Sequence, residues 1–267
     1  MFVDYLESLR RSGKRSFSFE EIIRDLNISN NSAKSGLYRL KKDNKLISPI
    51  KGLYVLVPPE HQPYGCIPAE ELVPIMANYL GAKYYVALLS AAAFYGAAHQ
   101  KVFKFQIITN SRIVHPLEFG RIKIEVTRKQ NLAKLPTKNV VVNSGYLKVA
   151  TPELIAIDLL RFVHKCGGLN HVATVLSELV EHIDACELIN LASNVDSLPS
   201  LQRLGYILET IDVMSNEKRR EIVVKLEEYL KDKINRYIPL STNIHTALHQ
   251  KCKKWKIIEN IEIESDL

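Results

Sequence analysis

Asn31, Ser32, Lys34, Ser35, Tyr38, Arg39 and Lys42 share one side of a stretch whose apolar residues, Ala33, Leu37 and Leu40, recur at helical spacing. Amides, hydroxyls and cations along one helix face are the groups that contact base edges and phosphates in a DNA groove. Lys51 follows at the tip of "PIKG", where Gly52 permits a tight turn and the cation can reach a phosphate or the minor groove.

Other chemistry is hard to assemble. The chain lacks a glycine-rich phosphate loop, a GxGxxG, a GxSxG and an HExxH. His164 with His171, or His245 with His249 at i, i+4, could nominally bind a metal, but no Cys, Asp or Glu cluster accompanies them. They read as surface or core histidines, and no metal or cofactor is expected. Glu125 lies on a basic strand, as a nuclease acid would, yet Lys123 precedes it and the E-x-K spacing is missing. Ser90 and His99 lie near one helix face, but a nucleophile also needs a base held by a third group. Tyr84, Tyr85, Phe94 and Tyr95 could stack bases; beside Ala and Leu at helical spacing they read as core. No catalytic residue is assigned.

The elements that must position the helix face are legible on both sides of it. Phe2, Val3, Leu6 and Leu9 space as a first helix over 2–11. Ser18 with Glu21 forms an S-x-x-E capping box for a second helix over 19–26. "NIS" makes a short turn, and Asn30 or Asn31 can cap the helix over 31–44. Leu46, Ile47, Ile50, Leu53, Tyr54 and Val55 then alternate as two strands around Lys51-Gly52. Helix, helix, basic helix and hairpin make a winged helix-turn-helix over 1–57, closed by Pro58-Pro59.

A proline-rich connector occupies 58–68, and the rest, 69–267, reads as a larger mixed α/β domain. It begins with helices over 69–80 and 84–100. Basic strands fill 101–150. Helices cover 152–165, 169–181, 184–194, 199–213 and 216–232, with Thr151 capping the first and Pro152 at its N1 position. A terminal strand is expected over 253–264. The fold class is therefore α+β, with a small sheet and a helical C-terminal half.

Charge supports a polyanionic partner. The chain carries +7 over 267 residues, and the distribution is uneven. Residues 1–57 hold eleven Lys/Arg against six acids, and 101–138 hold nine against two. The remainder is net acidic, so two basic regions sit on an otherwise acidic protein. No apolar run approaches the ~18 residues of a membrane span. The start, MFVDYLESLRR, lacks the basic-then-apolar order of a leader, and the four cysteines form no CxxC pair. A reducing cytoplasm is the expected location.

The order of features, "GLYRLKKDNKLISPIKGLYVLVPP", "YYVALLSAAAFYGAAHQ", "FQIITN", "GYLKVATPELIAIDLL", "LQRLGYILE" and "KWKIIENIEIE", resembles the AbiEi family of antitoxins from bacterial abortive-infection (type IV toxin–antitoxin) systems. The resemblance spans most of the chain. It implies an N-terminal domain that represses its own operon at inverted repeats in the promoter, and a C-terminal domain that counters a nucleotidyltransferase-like toxin without a stable complex. Carried over by position, the DNA-reading residues are Asn31, Ser32, Lys34, Ser35, Tyr38, Arg39, Lys42 and Lys51. Lys101, Lys104, Arg112, Arg121, Lys123, Arg128 and Lys129 form a further basic surface, matching the family in general character only. Inverted repeats require two copies, a weak dimer or monomers paired on DNA. Two other readings stay open: a module that binds a toxin or other protein directly, and an enzyme acting on nucleic acid.

Overall fold

The computed structural model describes residues 1–98, 103–113, 115–143, 145–195, 197–211 and 217–263. It has a mixed α/β fold in two units. The first comprises Met1–Tyr85, Phe103–Leu132 and Asn139–Lys148; the second comprises Val86–Val102, Ala133–Lys138 and Val149–Leu267.

The first unit opens with α1 (Phe2–Arg11), β1 (Ser16–Ser18), α2 (Phe19–Leu26), α3 (Asn30–Lys42), β2 (Leu46–Ile50) and β3 (Leu53–Leu56). The three strands form an antiparallel sheet in the order β1-β3-β2. β1 has no counterpart in the sequence reading, because three residues are too few to show alternation. Leu6, Leu9, Phe17, Ile22, Leu37, Leu40 and Leu46 close one apolar core, with the Phe17 and Tyr54 rings stacked at 5.6 Å.

Local chemistry sets the helix starts. The Glu21 amide donates to Ser18 Oγ at 3.1 Å, and the Ser18 amide donates to Glu21 Oε2 at 2.6 Å. This is the capping box that the sequence predicts. Its loss leaves an amide of α2 unsatisfied, so Ser18→Ala is expected to cost ~1 kcal/mol while Ser18→Asp retains most of it. Paired thermal melts of the two variants measure this. α2 ends on Asn27, whose φ of 50° and ψ of 50° turn the chain toward α3. The cap of α3 is Ser29, not Asn30 or Asn31: the Ser32 amide donates to Ser29 Oγ at 3.3 Å. Both asparagines lie inside the helix.

The unit continues through a 3-10 turn over Pro59–Tyr64 and α4 (Ala69–Leu80) to β4 (Tyr84–Val86). Tyr84-Tyr85-Val86 is thus a strand and not the start of a helix over 84–100. Only α5 (Leu88–Ala93) is helical there, and residues 99–102 lie outside the described ones. Aromatic and β-branched residues suit a pleated surface, and the alanines that read as helix begin only after it. Then come β5 (Phe105–Thr109), β6 (Leu117–Phe119), β7 (Ile122–Arg128), β8 (Thr137–Val142) and β9 (Gly145–Ala150). Within the first unit β6, β7, β5 and β4 lie side by side, with β5 parallel and β6 antiparallel to β7.

This contact grouping runs differently from a division at 58–68. Leu53 and Val55 of β3 share one apolar cluster with Leu72, Val73 and Met76 of α4 and with Ile107, Ile124 and Val126 of the sheet. The buried Glu71 carboxylate of α4 also accepts from Arg15 and, at 3.2 Å, from Asn143.

The second unit is built on α6 (Pro152–Arg161), buried on every side from Pro152 to Leu160, as a central helix must be. Around it stand α5, α7 (Leu169–Leu179), α8 (Ala185–Asn194) and α9 (Leu198–Thr210), with α10 (Glu217–Leu230) outside α8 and α9. Pro152 occupies N1 as predicted, but the Thr151 hydroxyl makes no cap bond and is buried without a partner among the described residues. The expected strand over 253–264 is instead two short strands, β11 (Lys251–Cys252) and β12 (Ile257–Ile258), around a turn; β10 (Ile238–Pro239) completes their sheet. Residue 264 lies outside the described residues.

Candidate nucleic-acid interface

α3 buries Ala33, Gly36, Leu37 and Leu40 and leaves its opposite side open. Asn31, Ser32, Lys34, Ser35, Tyr38, Arg39 and Lys42 are all exposed there. Tyr38, at 69% exposure, is the outlier: a large aromatic ring left in solvent in the middle of the face. Lys51 is exposed at the turn between β2 and β3. The structure therefore places every one of the eight sequence-predicted residues on the outer surface of the same small module.

Three contacts that spacing does not reveal hold this arrangement. A Cβ on Gly36 would lie 2.2 Å from the Phe2 ring, so only glycine lets α1 approach α3 this closely. Gly52 takes a φ of 86°, and its carbonyl accepts from the Phe19 amide at 2.9 Å. The Tyr79 hydroxyl of α4 donates to the Lys51 carbonyl at 3.3 Å. The turn that carries Lys51 is pinned on two sides.

The charges separate into spent and available ones. Arg10 pairs with Glu7, Arg15 with Glu71, Arg24 with Asp25 and Lys45 with Asp43. α3 itself contains no acid, and Lys34, Arg39, Lys42 and Lys51 have no acidic partner among the described residues. Arg39 Nε makes one long contact, 3.4 Å, to the Ser35 carbonyl. Lys41, three residues after Tyr38, is equally exposed on α3 and adds to the predicted set. Behind the face, burial raises the pKa of the Tyr54 hydroxyl above the phenol range. Burial, with a hydrogen bond to Asp25, does the same at Tyr5. Both are core groups.

The second basic region behaves otherwise. β5 and β7 run parallel with Phe105 opposite Ile124 and Thr109 opposite Arg128. This register puts Lys104 and Lys123 at one end of the strands and Arg128 and Lys129 at the other, ~15 Å apart at strand rise. Lys123 is paired with Glu118 at 3.4 Å, and the Arg121 guanidinium lies over the Tyr64 ring at 5.6 Å. Arg112 is exposed in the loop after β5, and Lys101 lies outside the described residues. Glu125 accepts from Gln106 at 3.0 Å in a cross-strand pair. Among the described residues no three His, Cys, Asp or Glu side chains gather as a metal-binding group. Of the aromatic quartet, Tyr85 is buried, Tyr84 and Tyr95 are half-buried, and Phe94 is 40% exposed. No helix is long and apolar enough to cross a membrane among the described residues.

Fold and surface together define a mixed α/β protein whose first unit presents an acid-free basic helix and a cationic hairpin tip. The same architecture occurs in the crystal structure of the RV2827C protein from Mycobacterium tuberculosis, at a TM-score of 0.66 and 17% identity over 95% of this chain and 89% of that one. Residues 85–210 match the family model described as the AbiEi antitoxin C-terminal domain. Weaker likenesses, at TM-scores of 0.35 and 0.33, are to an antigenic nucleotidyltransferase-like protein from Paracoccidioides brasiliensis (12% identity; 59% of this chain, 90% of that) and to the antibiotic-resistance factor ANT(2'')-Ia (9% identity; 46% and 86%). No curated protein matches the chain.

Proposed function

We propose that the protein is a DNA-binding autorepressor as well as an antitoxin, and that residues 1–57 act as a winged helix-turn-helix. In this reading α3 enters the major groove and the β2–β3 turn lies beside it. The observation that carries the reading is the exposed face of α3 and the wing: four cations with no acidic partner among the described residues, alternating with Asn31, Ser32, Ser35 and Tyr38. Lys34, Lys42 and Lys51 hold phosphates, which gives affinity without sequence information. Arg39, Ser35 and Asn31 read base edges. Two copies occupy the two halves of an inverted repeat in the operon promoter. The rest of the chain counteracts a nucleotidyltransferase-like toxin without forming a stable complex with it, and performs no catalysis.

Electrophoretic mobility shift on the gene's own upstream DNA, against a random duplex of equal length, tests this. The expected result is a selective complex that weakens steeply with salt. Equal binding of both duplexes at every salt concentration would make α3 a docking surface for protein instead.

A further inference from the structure

The C-terminal sheet carries a cluster of cations that the reading above leaves unused. Residues 231–256 hold seven Lys/Arg and one acid, Asp232. They follow the matched family region, which ends at residue 210. In the sequence this excess is hidden, because the chain outside the two obvious basic regions is net acidic.

The register of the small sheet gathers these charges. β10 runs parallel to β12 with Ile238 opposite Ile257, and β11 runs antiparallel to β12 with Cys252 opposite Ile257. Tyr237, Lys253 and Lys256 are therefore neighbours at one end of the three strands. Residues 253–256, "KKWK", form the turn between β11 and β12. Trp255 turns inward and is fully buried, donating from Nε1 to Glu209 at 2.6 Å. Its lysine neighbours are left at the surface. Lys256 takes a left-handed φ of 51°, a conformation that a lysine adopts at some cost. Its ammonium lies 5.2 Å from the Tyr237 ring centre, and that of Lys251 lies 5.4 Å from it.

Neutralisation of the cluster is selective. Lys254 is held by Glu209 at 2.6 Å and Glu227 at 2.8 Å. Arg236, Lys251, Lys253 and Lys256 pair with no carboxylate among the described residues. Four cations without carboxylate partners on a scaffold fixed by a buried tryptophan raise the local positive potential and attract polyanions. The arrangement is three lysines to one arginine. Lysine is a point charge suited to phosphate oxygens in any sequence, whereas base reading favours the planar arginine fork.

We propose that Arg236, Lys251, Lys253 and Lys256 form a second, sequence-independent binding surface for the phosphodiester backbone of nucleic acid, with Tyr237 positioning two of the lysines through its ring. Nucleic acid is favoured over a lipid surface because Leu248 is the one fully exposed large aliphatic side chain nearby among the described residues, too little apolar area to hold a bilayer.

The test uses full-length protein with the α3 cations removed (Lys34→Ala/Arg39→Ala/Lys42→Ala), so that the first unit does not mask the second. Fluorescence anisotropy follows binding of a labelled single-stranded RNA and of a DNA duplex, each of about 20 nucleotides per strand and of unrelated sequence, at about 50 and 200 mM salt. Binding should be salt-sensitive. Adding Arg236→Gln/Lys251→Gln/Lys253→Gln/Lys256→Gln should weaken it at least ~10-fold at the lower salt and flatten the salt slope by about 3 for RNA or 4 for duplex. Lysine-to-arginine replacement at 251, 253 and 256 should retain binding, which separates lost charge from lost fold. The stronger of the two probes identifies the natural polymer. Failure to bind either probe, or equal binding by the glutamine variant, overturns the proposal. Binding confined to phosphatidylserine vesicles overturns it too, and assigns the cluster to a membrane surface.

Discussion

Lys34→Ala/Arg39→Ala/Lys42→Ala protein is expected to lose selective binding to its upstream DNA while melting like the parent. The three side chains are exposed and have no acidic partner among the described residues, so their removal leaves no buried group unsatisfied. Their contributions differ in kind. A bidentate arginine contact to a base is worth ~1–3 kcal/mol, so Arg39 alone accounts for roughly 5- to 150-fold in discrimination. The two lysines act on every sequence alike, and losing both should flatten the salt slope on duplex DNA by about 2. The single variants separate the roles. Arg39→Ala narrows the gap between the operator and a random duplex; Lys34→Ala lowers both curves together. Titrations of each variant at several salt concentrations supply the measurement. An Arg39→Ala protein as selective as the parent would remove Arg39 from base reading.

Trp255→Ala is expected to destabilise the second unit by ~3–5 kcal/mol, the range for truncating a large buried aromatic. The ring is fully buried and its Nε1 donates to Glu209. The backbone on either side of it is tied down as well: Gln202 Nε2 donates to the Trp255 carbonyl at 3.0 Å. A Cβ on Gly205 of α9 would lie 2.2 Å from the indole, so Gly205→Ala attacks the same contact from the other side. Because the two residues touch, the effects should not add: the double variant should be less destabilised than the sum of the singles. Differential scanning calorimetry measures the loss. At ~2–4 °C per kcal/mol for a domain of this size, the loss for Trp255→Ala is ~6–20 °C. Trp255→Phe, which keeps most of the volume and loses only the hydrogen bond to Glu209, should fall well short of that.

Much of the local structure was legible because it follows from local chemistry. The capping box at Ser18 and Glu21, the apolar spacing of α1 and α3 and the proline at position 152 are short-range signals, and the helices follow within a few residues. The exposed face of α3 was legible for the same reason, since spacing alone decides which side chains oppose Leu37 and Leu40. What failed depended on distant partners. Tyr84-Tyr85-Val86 is a strand because Val86 pairs with Val149, far along the chain. The close packing of the Phe2 ring on Gly36 has no signature in the local spacing. The parallel register of β5 and β7, which spreads the cations over 101–138 along the strands, was likewise not visible in charge counted along the sequence.

The turn between β2 and β3 has an entropic implication. On the proposed DNA-binding reading its tip would meet DNA already ordered, with the Lys51 carbonyl held by Tyr79 and the Gly52 carbonyl held by Phe19. A segment that is rigid beforehand gives up little conformational entropy on association, so little of its contact energy is spent on ordering. Loosening it would then add an ordering cost to association and weaken the complex. Tyr79 would influence how tightly the operator is held without ever touching it.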